Sequence, residues 1–248
     1  MCIRDRLKTP SEKEIRIDSS YIPGYLDGVK LAFVSDLHVD FSFKEKTFCR
    51  VLKKLRESGA DMVVFGGDLL DPPGYCSDEM RKAAAALGKT AKLFAVPGNH
   101  EYYYGLKKSA ECYKSLGVKL LRNEVYRNGG FSIVGLDYER GDDAEKRARQ
   151  LVKTLDDREF GIVVSHRPLP FEKFAADRNF LMLSGHLHGG QIFPFHFFVR
   201  LVYRRFYGLY RKKNFFLYIT SGAGTWGPPM RLLAPSEIVY FTLERKRD

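Results

Sequence analysis

Five of the six histidines in this 248-residue chain lie in short motifs that also contain an Asp, a Ser or a glycine turn. Together with one Asp-rich motif they are, in chain order, Asp36-Leu37-His38, Gly67-Asp68-Leu69-Leu70-Asp71, Gly98-Asn99-His100-Glu101, Ser165-His166 and Gly185-His186-Leu187-His188-Gly189. Carboxylate oxygens, amide oxygens and neutral imidazoles are ligands of borderline divalent metals such as Mn, Fe and Zn. The motifs offer more ligands than one ion needs. They therefore predict a two-metal hydrolytic site, in which ions about 3.5–4 Å apart contact both the attacking and the leaving oxygen.

Short apolar runs precede most of these motifs and predict the strands that position them. Strands are expected at 29–35, 61–66 and 92–96, and amphipathic helices at 44–58 and 78–89. The order β-α-β-α-β predicts a parallel sheet with right-handed crossovers. Sites in open α/β sheets form beyond the carboxyl ends of the strands, and Asp36, Asp68, Asn99 and His166 each follow such an end.

The second half of the chain continues with a mixture of strands and helices. Helices are expected at 104–116 and 143–157, and strands at 118–126, 131–136, 160–165, 180–184, 215–220 and 237–243. No internal repeat or low-complexity linker interrupts it. We therefore expect a leader at 1–28 and a single domain at 29–248. The first six residues resemble translated sequencing-adapter sequence; if they have that origin, the native N-terminus and any anchor lie outside this chain.

Composition narrows the class of protein. A hydrophobic content of 44% and a charged content of 29% are typical of a globular protein. The formal net charge of +11 favours phosphate-bearing partners, although a basic surface without such a partner is common. The four cysteines are widely spaced, so we expect no disulfide framework and a reducing compartment. No apolar stretch reaches the roughly 18 residues of a transmembrane helix.

Each motif alone is weak evidence for a metal site. Gly-Asp and Gly-Asn pairs form ordinary turns, and a single histidine can be a hydrogen-bonded core residue. Because all of them occur together, and most of them follow predicted strands, they favour one common metal site. Asp71 and Glu101 are placed to orient ligand imidazoles from behind, or else are plain turn and cap residues.

The ordered set D-x-H, G-D-x-x-D, G-N-H-E, H and G-H-x-H resembles the calcineurin-like metallophosphoesterase superfamily, over residues 29–243. The resemblance implies an α/β fold, a β-sandwich of two mixed sheets flanked by helices in four α/β/β/α layers. It implies two divalent ions, Mn, Fe, Zn or Ni. One would be held by Asp36, His38 and His188, and the other by Asn99, His166 and His186. Asp68 would bridge both ions, while His100 would face the scissile phosphate and protonate the leaving oxygen.

A narrower resemblance rests on Gly185–Gln191, Ser221–Arg231 and Pro235–Ile238. These segments are similar to the bacterial YkuE/YaeI-type branch, although Leu187 stands where the family usually has Thr. The resemblance implies a bacterial protein that is cytoplasmic or peripheral at the cytoplasmic face of the membrane. It also implies a phosphodiester or pyrophosphate substrate, including lipid-linked substrates such as a UDP-diacylglucosamine pyrophosphate.

Residues 193–213 combine an apolar stripe with basic residues. Phe198, Leu201, Val202 and Phe206 fall on one helical stripe, and on another fall Arg200, Arg204 and Arg211. This pattern is typical of an interfacial helix on an anionic membrane, and equally of an insertion whose aromatics pack over the active site. The sequence leaves both open.

Two other functions compete with a phosphoesterase acting on small or lipid-linked phosphates. The positive charge also fits a metal-dependent nuclease, but no nucleic-acid-binding module is recognisable, so we do not expect nucleic acid as a partner. A non-catalytic scaffold with the same fold would be expected to lose ligands, whereas all seven and His100 are present.

Overall fold

Residues 9–40, 44–72, 75–128, 131–138, 142–156, 160–170 and 179–246 are described in the computed structural model. The strands are β1 Ser11–Ser19, β2 Lys30–Val34, β3 Met62–Phe65, β4 Lys92–Ala95, β5 Lys119–Leu120, β6 Glu124–Asn128, β7 Phe131–Gly135, β8 Phe160–Val164, β9 Asn179–Ser184, β10 Gly208–Lys212, β11 Phe215–Ile219 and β12 Glu237–Arg245. The helices are α1 Lys44–Glu57, α2 Asp78–Gly88, α3 Asn99–Tyr104, α4 Leu106–Ser115, α5 Asp142–Lys153 and α6 Phe195–Val202, with 3-10 turns at Gly24–Leu26 and His188–Gly190.

The strands form two six-stranded sheets. The first has the order β1-β12-β2-β3-β4-β5 and the second β10-β11-β9-β8-β7-β6. Strands β2 to β5 run parallel, as do β7, β8, β9 and β11, while β12 pairs antiparallel with β2. The predicted arrangement of two mixed sheets flanked by helices is confirmed.

Three clusters of buried apolar side chains separate four layers. The central cluster fills the space between the sheets and includes Phe33 and Phe94 from the first and Ile162 from the second. A second cluster packs the first sheet against α1, α2 and α4, and a third packs the second sheet against α5. Buried side chains of α1 at Phe48, Val51, Leu52 and Leu55 follow the helical spacing seen in the sequence. The sheets are thus covered on both faces, and their carboxyl ends are left to carry polar loops.

Part of the predicted leader belongs to the fold. Ser11–Ser19 is β1, which pairs in parallel with β12 from Ser11 opposite Glu237 to Ser19 opposite Arg245. Because β1 lies at the edge of the sheet, most of its side chains are exposed or half-buried. Its sequence therefore lacks the continuous apolar run that marks the buried strands. We propose that the single domain predicted for 29–248 also includes this strand.

Two further expectations are corrected. Cys76 and Cys112 form a disulfide between the loop before α2 and helix α4, with their Cα atoms 5.7 Å apart, so the expectation of no disulfide is wrong. Residues 193–213 are not one helix, because α6 ends at Val202 and β10 follows. Among the residues that the structure describes, no helix has the length and apolar character needed to cross a bilayer.

Close packing between β7 and the residue after β5 gives a stability prediction. A Cβ at Gly135 would lie 2.1 Å from Leu121 Cβ, whereas a Cβ at Gly88, the last residue of α2, would lie 3.8 Å from its nearest neighbour. Gly135→Ala should therefore lower the free energy of unfolding by about 1–3 kcal/mol through overpacking. Gly88→Ala is the control and should raise it by roughly 0.5–1 kcal/mol through helix propensity. Urea unfolding followed by circular dichroism compares them; equal stability of both variants would contradict the packing argument.

Candidate metal centre

The predicted metal ligands lie in loops at the carboxyl ends of strands from both sheets. Asp36 and Asp68 follow β2 and β3, while Asn99 follows β4; His166 and His186 follow β8 and β9 of the second sheet. Parallel strands place these ends at one edge, as expected from the motif positions. The predicted convergence of the motifs therefore occurs, and it joins the two sheets.

The backbone of these loops is strained where the functional side chains lie. Five residues of the predicted ligand set have positive φ: Asp36 (58°), His38 (48°), Asp68 (53°), His186 (72°) and His188 (50°). Left-handed conformations are uncommon for residues other than glycine and cost of order 1 kcal/mol or more each. Cross-links between loops hold them: the Asp36 N–H donates to the Gly67 carbonyl and the His38 N–H to the Asp68 carbonyl, both at 3.0 Å.

A first group of ligand atoms consists of Asp36, His38 and His188. His38 Nε2 lies 3.0 Å from His188 Nε2, and His188 Nε2 lies 3.5 Å from Asp36 Oδ1. All three side chains are buried, and one ligand atom from each lies within 4.8 Å of the others. Two imidazole nitrogens and a carboxylate facing one point are a suitable donor set for a divalent cation.

A second group consists of Asp68, His166 and His186. His166 Nε2 lies 3.1 Å from Asp68 Oδ2, and His186 Nδ1 lies 3.2 Å from His166 Nε2. Asp68 also reaches toward the first group, since its Oδ2 lies 3.8 Å from His38 Nε2. Asn99 Oδ1 is buried without a hydrogen-bond partner among the described residues, which leaves this oxygen available as a ligand.

The charges of the side chains in this centre favour binding of a cation between them. Burial lowers the pKa of His166, but the charge and hydrogen bond of Asp68, together with the charge of Asp36, outweigh burial and raise the pKa to about 10. Burial, with the charge of His166 beside it, lowers the pKa of His186 to about 3. Burial also raises the pKa of Asp36, an unfavourable position for a carboxylate without a cation. Divalent ions would supply the missing positive charge, and the residues present fit them.

His100 and Asp71 form a pair at the edge of the centre. Asp71 Oδ1 lies 2.8 Å from His38 Nδ1 and 2.6 Å from His100 Nδ1, so one carboxylate contacts the back of both rings. Burial lowers the pKa of His100, but the carboxylates of Asp71 and Asp68 outweigh burial and raise the pKa above its usual value. Asp71 therefore has the expected orienting position, and its contact extends to His100.

Glu101 acts on the backbone instead of on an imidazole. It is fully buried, and its carboxylate accepts hydrogen bonds from the N–H groups of Asp68 (2.9 Å), Leu69 (2.8 Å) and Gly98 (2.6 Å). The Tyr113 hydroxyl donates a fourth at 3.1 Å. Burial and the nearby Asp68 raise the pKa of Glu101, and the backbone donors oppose that shift. Glu101 thus ties together the two loops that carry Asp68 and Asn99.

Sequence reasoning assigned no role to three residues beside the centre. Arg231 is buried, donates to the carbonyls of Gly224 and Ala234, and brings Nη2 within 3.3 Å of His188 Nδ1. The Trp226 ring lies 6.4 Å from the His100 ring, and the Gln191 amide exchanges two hydrogen bonds with the Trp226 backbone. Their segments were noted only as part of a resemblance, because contacts between distant loops leave no periodic signal in the sequence.

The arginines proposed for membrane or substrate contact are separate from this centre. Arg200 stacks over the Phe206 ring at 5.3 Å, and Arg204 is exposed after α6. Arg211 lies on β10 and pairs with Asp18 at 3.2 Å, so it is not on the helical stripe assumed from the sequence.

Comparison with known proteins shows which family has this sequence pattern and fold. The family model of calcineurin-like phosphoesterases matches residues 29–190. An uncharacterized metallophosphoesterase of Helicobacter pylori is 35% identical over 91% of this chain and 64% of its own length. The uncharacterized metallophosphoesterase YkuE of Bacillus subtilis is 32% identical over 93% of this chain and 84% of its own length.

The chain belongs to the calcineurin-like phosphoesterase family and contains a metallophosphoesterase domain. It spans about two thirds of the length of the first curated relatives, 64% for Helicobacter pylori and 66% for Campylobacter jejuni. Among solved structures, it is similar to the purple acid phosphatase PPD1 of yellow lupin, with 10% identity, a TM-score of 0.46, and 87% of this chain and 54% of that chain covered.

The buried carboxylate of Glu101 gives a testable consequence. In Glu101→Gln an NH₂ group replaces one oxygen, and in either orientation it faces at least one of the backbone N–H donors. Leaving such groups unpaired costs about 1–3 kcal/mol each, so unfolding free energy should fall by at least that amount. Metal bound per chain, measured by plasma emission after dialysis against Mn²⁺, should fall with it. Glu57→Gln, on the exposed face of α1, is the control and should change neither the unfolding free energy nor the metal content. A Glu101→Gln variant as stable as the wild type would contradict the role of Glu101 in holding the two loops together.

Proposed function

We propose that this protein is a dinuclear-metal-dependent hydrolase of phosphate esters, acting on a phosphodiester or pyrophosphate. The observation that carries the proposal is a pair of ligand groups in which every residue except the half-buried His186 is buried, with Asp68 within reach of both. The groups are Asp36/His38/His188 and Asp68/His166/His186. Bound divalent ions would supply Lewis-acid stabilisation of phosphate oxygens and a lowered pKa of water. Mn, Fe, Zn and Ni all suit these donors.

We assign the ligands as the motif order implies. Asp36, His38 and His188 would hold one ion, Asn99, His166 and His186 would hold the other, and Asp68 would contribute to both. Neutral imidazoles and the Asn99 amide add donors without adding negative charge that would repel a phosphate. The Asp71 carboxylate orients His38, and the hydrogen-bonded carboxylate of Glu101 keeps two of the loops in register.

His100 is assigned as the proton donor to the leaving oxygen. Its Nδ1 faces Asp71, which leaves Nε2 for the substrate, and its ring is only partly exposed, at 12% of the side chain. Asp71 stabilises the protonated imidazole, the form that can donate. The group His38, Asp68 and His100 also has ligand atoms within 4.8 Å of one another, so metal binding by His100 is the alternative to be tested.

We propose further that the substrate is lipid-linked and that the protein works at an anionic membrane surface, peripheral to the bilayer. The support is an exposed apolar platform formed by two segments. Its members are Phe193, Phe195, Phe197, Phe198, Leu201 and Val202 on and before α6, and Trp226, Met230, Leu232 and Leu233 in the loop before β12. Single exposed apolar residues are ordinary, but a contiguous set of this size is characteristic of an interaction surface.

Backbone hydrogen bonds make the two segments one surface. The Phe193 N–H donates to the Leu232 carbonyl at 3.1 Å, and the Leu232 N–H donates to the Gln191 carbonyl at 2.9 Å. Leu201 is 83% exposed and Leu233 is 77% exposed. Val199 packs inward on the core, so α6 is anchored while its outer face stays apolar. The platform extends through Trp226 to the neighbourhood of His100, a short path from an apolar phase to the reacting phosphate.

Basic residues beside the platform fit an anionic surface. Arg200 lies on α6 and Arg204 just after it, both exposed. Each cation close to an anionic membrane contributes about 1 kcal/mol, and burial of the apolar side chains adds to this. Arg211, which pairs with Asp18, takes no part in this proposal.

Activity and metal content together test the catalytic assignment. The purified chain loaded with Mn²⁺ should hydrolyse bis(p-nitrophenyl) phosphate, and chelation should abolish the reaction. Asp68→Asn should lose metal and activity together. His100→Ala should keep its metal while kcat falls by about 10²–10⁴-fold for an alkyl leaving group, and less for nitrophenol, which needs little protonation. Loss of metal from His100→Ala would make it a ligand; no hydrolysis by the loaded wild type would overturn the function.

Binding to vesicles tests the platform. Co-sedimentation with phosphatidylglycerol/phosphatidylcholine vesicles should be strong at low salt and should weaken at high salt, since exposed charges are screened. Leu201→Ser with Leu233→Ser should reduce binding at both salt concentrations, and Arg200→Gln with Arg204→Gln mainly at low salt. Arg211→Gln is the control and should bind like the wild type. Hydrolysis of bis(p-nitrophenyl) phosphate should be unchanged in all three, and wild-type protein that stays in the supernatant at low salt would refute the membrane proposal.

A further inference from the structure

Arg167 lies directly beside the metal centre without being one of its predicted ligands. It follows His166 in the loop after β8, where the Ser165 hydroxyl donates to the Arg167 carbonyl at 2.7 Å. The Arg167 side chain is half-buried, and it lines a small pocket together with Tyr138, Ser165, His166 and Leu169. The guanidinium is therefore held at the edge of the centre and not free in solution.

Tyr138 forms a wall shared by this pocket and the metal centre. Its ring centroid lies 6.1 Å from that of His166 and 6.2 Å from that of His186. Because His166 lines the pocket as well, Arg167 and a ligand imidazole border the same space, and neighbouring parts of one substrate can reach both. The pocket has a volume of about 10 Å³, room for about one water, so a larger group would contact Arg167 at the opening of the pocket.

The charge of Arg167 is not neutralised by the described part of the chain. Its Nε donates to the Tyr203 hydroxyl at 3.0 Å, and its guanidinium stacks on the Tyr203 ring at 5.8 Å. The one carboxylate in the pocket lining, Asp137, accepts from the Arg122 guanidinium at 2.7 Å and from the Tyr102 hydroxyl at 2.6 Å. Tyr203 thus fixes the Nε edge of the Arg167 guanidinium. No carboxylate among the described residues pairs with the terminal nitrogens of Arg167.

We propose that Arg167 binds a second phosphoryl group next to the scissile one, so that the site favours pyrophosphate diesters over esters with a single phosphate. This inference rests on the proposed hydrolase function and narrows its substrate class. A planar guanidinium held at one edge presents its other N–H groups for two parallel hydrogen bonds to phosphate oxygens.

The chemistry gives Arg167 a larger effect in the transition state than in the ground state. In hydrolysis, the water oxygen bonds to one phosphorus, the bond from that phosphorus to the bridging oxygen breaks, and its electron pair remains on the departing phosphate. Water gives up a proton to the solution, and both products are phosphate monoesters. Negative charge grows on the phosphate that Arg167 contacts, which is where a fixed cation lowers the barrier.

The test compares two substrates across matched variants. Wild type, Arg167→Gln, Tyr203→Phe and the exposed control Arg127→Gln are loaded with Mn²⁺ and assayed with UDP-glucose, a pyrophosphate diester, and with bis(p-nitrophenyl) phosphate. Arg167→Gln should lower kcat/KM for UDP-glucose on the order of 10- to 100-fold, the value of hydrogen bonds to a charged group, and change that for the single-phosphate diester less than about threefold. Tyr203→Phe should give a smaller loss of the same kind, and Arg127→Gln none.

Binding provides a readout that does not depend on turnover. Calorimetry should show methylenediphosphonate binding more tightly than methylphosphonate to the wild type, with this preference lost in Arg167→Gln at unchanged metal content. Equal losses for both substrates, or a retained preference for diphosphonate, would overturn the inference. If the loaded wild type hydrolyses neither substrate, the proposed function itself fails; if it hydrolyses only the diester and shows no diphosphonate preference, the inference alone fails.

Discussion

Three carboxylates, Asp36, Asp68 and Glu101, are removed from water within one small region, and the surrounding loops are arranged to compensate them. Burying an ionised carboxylate is costly unless hydrogen bonds or cations surround it. Asp36 accepts the His186 N–H, Asp68 accepts the His100 N–H, and Glu101 accepts three backbone N–H groups. Two of the three face imidazoles and would share a metal charge, whereas the third is satisfied entirely by the protein. The same chemical group thus serves as ligand or as structural support according to its neighbours.

Backbone strain at the ligands follows from the same constraint. A loop after a strand must turn its carboxylate or imidazole toward a common point while its N–H and carbonyl groups bond to the neighbouring loop. Left-handed conformations at His38 and Asp68 achieve both, and their cost is met by cross-links such as Gly224 N–H to the Asp36 carbonyl at 2.9 Å. Gly224 could not be larger, since a Cβ there would lie 2.1 Å from the Leu37 carbonyl oxygen. The rigidity of the centre therefore comes from interlocked loops more than from any single strand.

The sequence predicted what depends on local patterns and missed what depends on contacts between distant segments. The buried strands are predicted because a continuous apolar run marks each of them, and the amphipathic helices because their apolar residues recur at helical spacing. Motifs after strand ends located the centre because parallel strands share an edge. In contrast, β1 is an exposed edge, the Cys76–Cys112 disulfide joins residues 36 positions apart, and Arg231 reaches His188 across 43 positions. The backbone role of Glu101 was hidden because its partners lie in a loop more than 30 residues earlier, as the Asp68 contact shows.

The position of β12 has a consequence for how the chain is assembled. This strand lies between β1 and β2, so Ser11 in β1 pairs with Glu237 in β12, although the two residues are far apart in the sequence. During synthesis, β1 and the edge of β2 that β12 covers stay unpaired until β12 has left the ribosome. Such long-range pairing gives the fold a high contact order, which slows folding and prolongs the exposure of open strand edges. Until β12 pairs with both neighbours, the two strands on either side of it therefore present open edges to which other chains can bind.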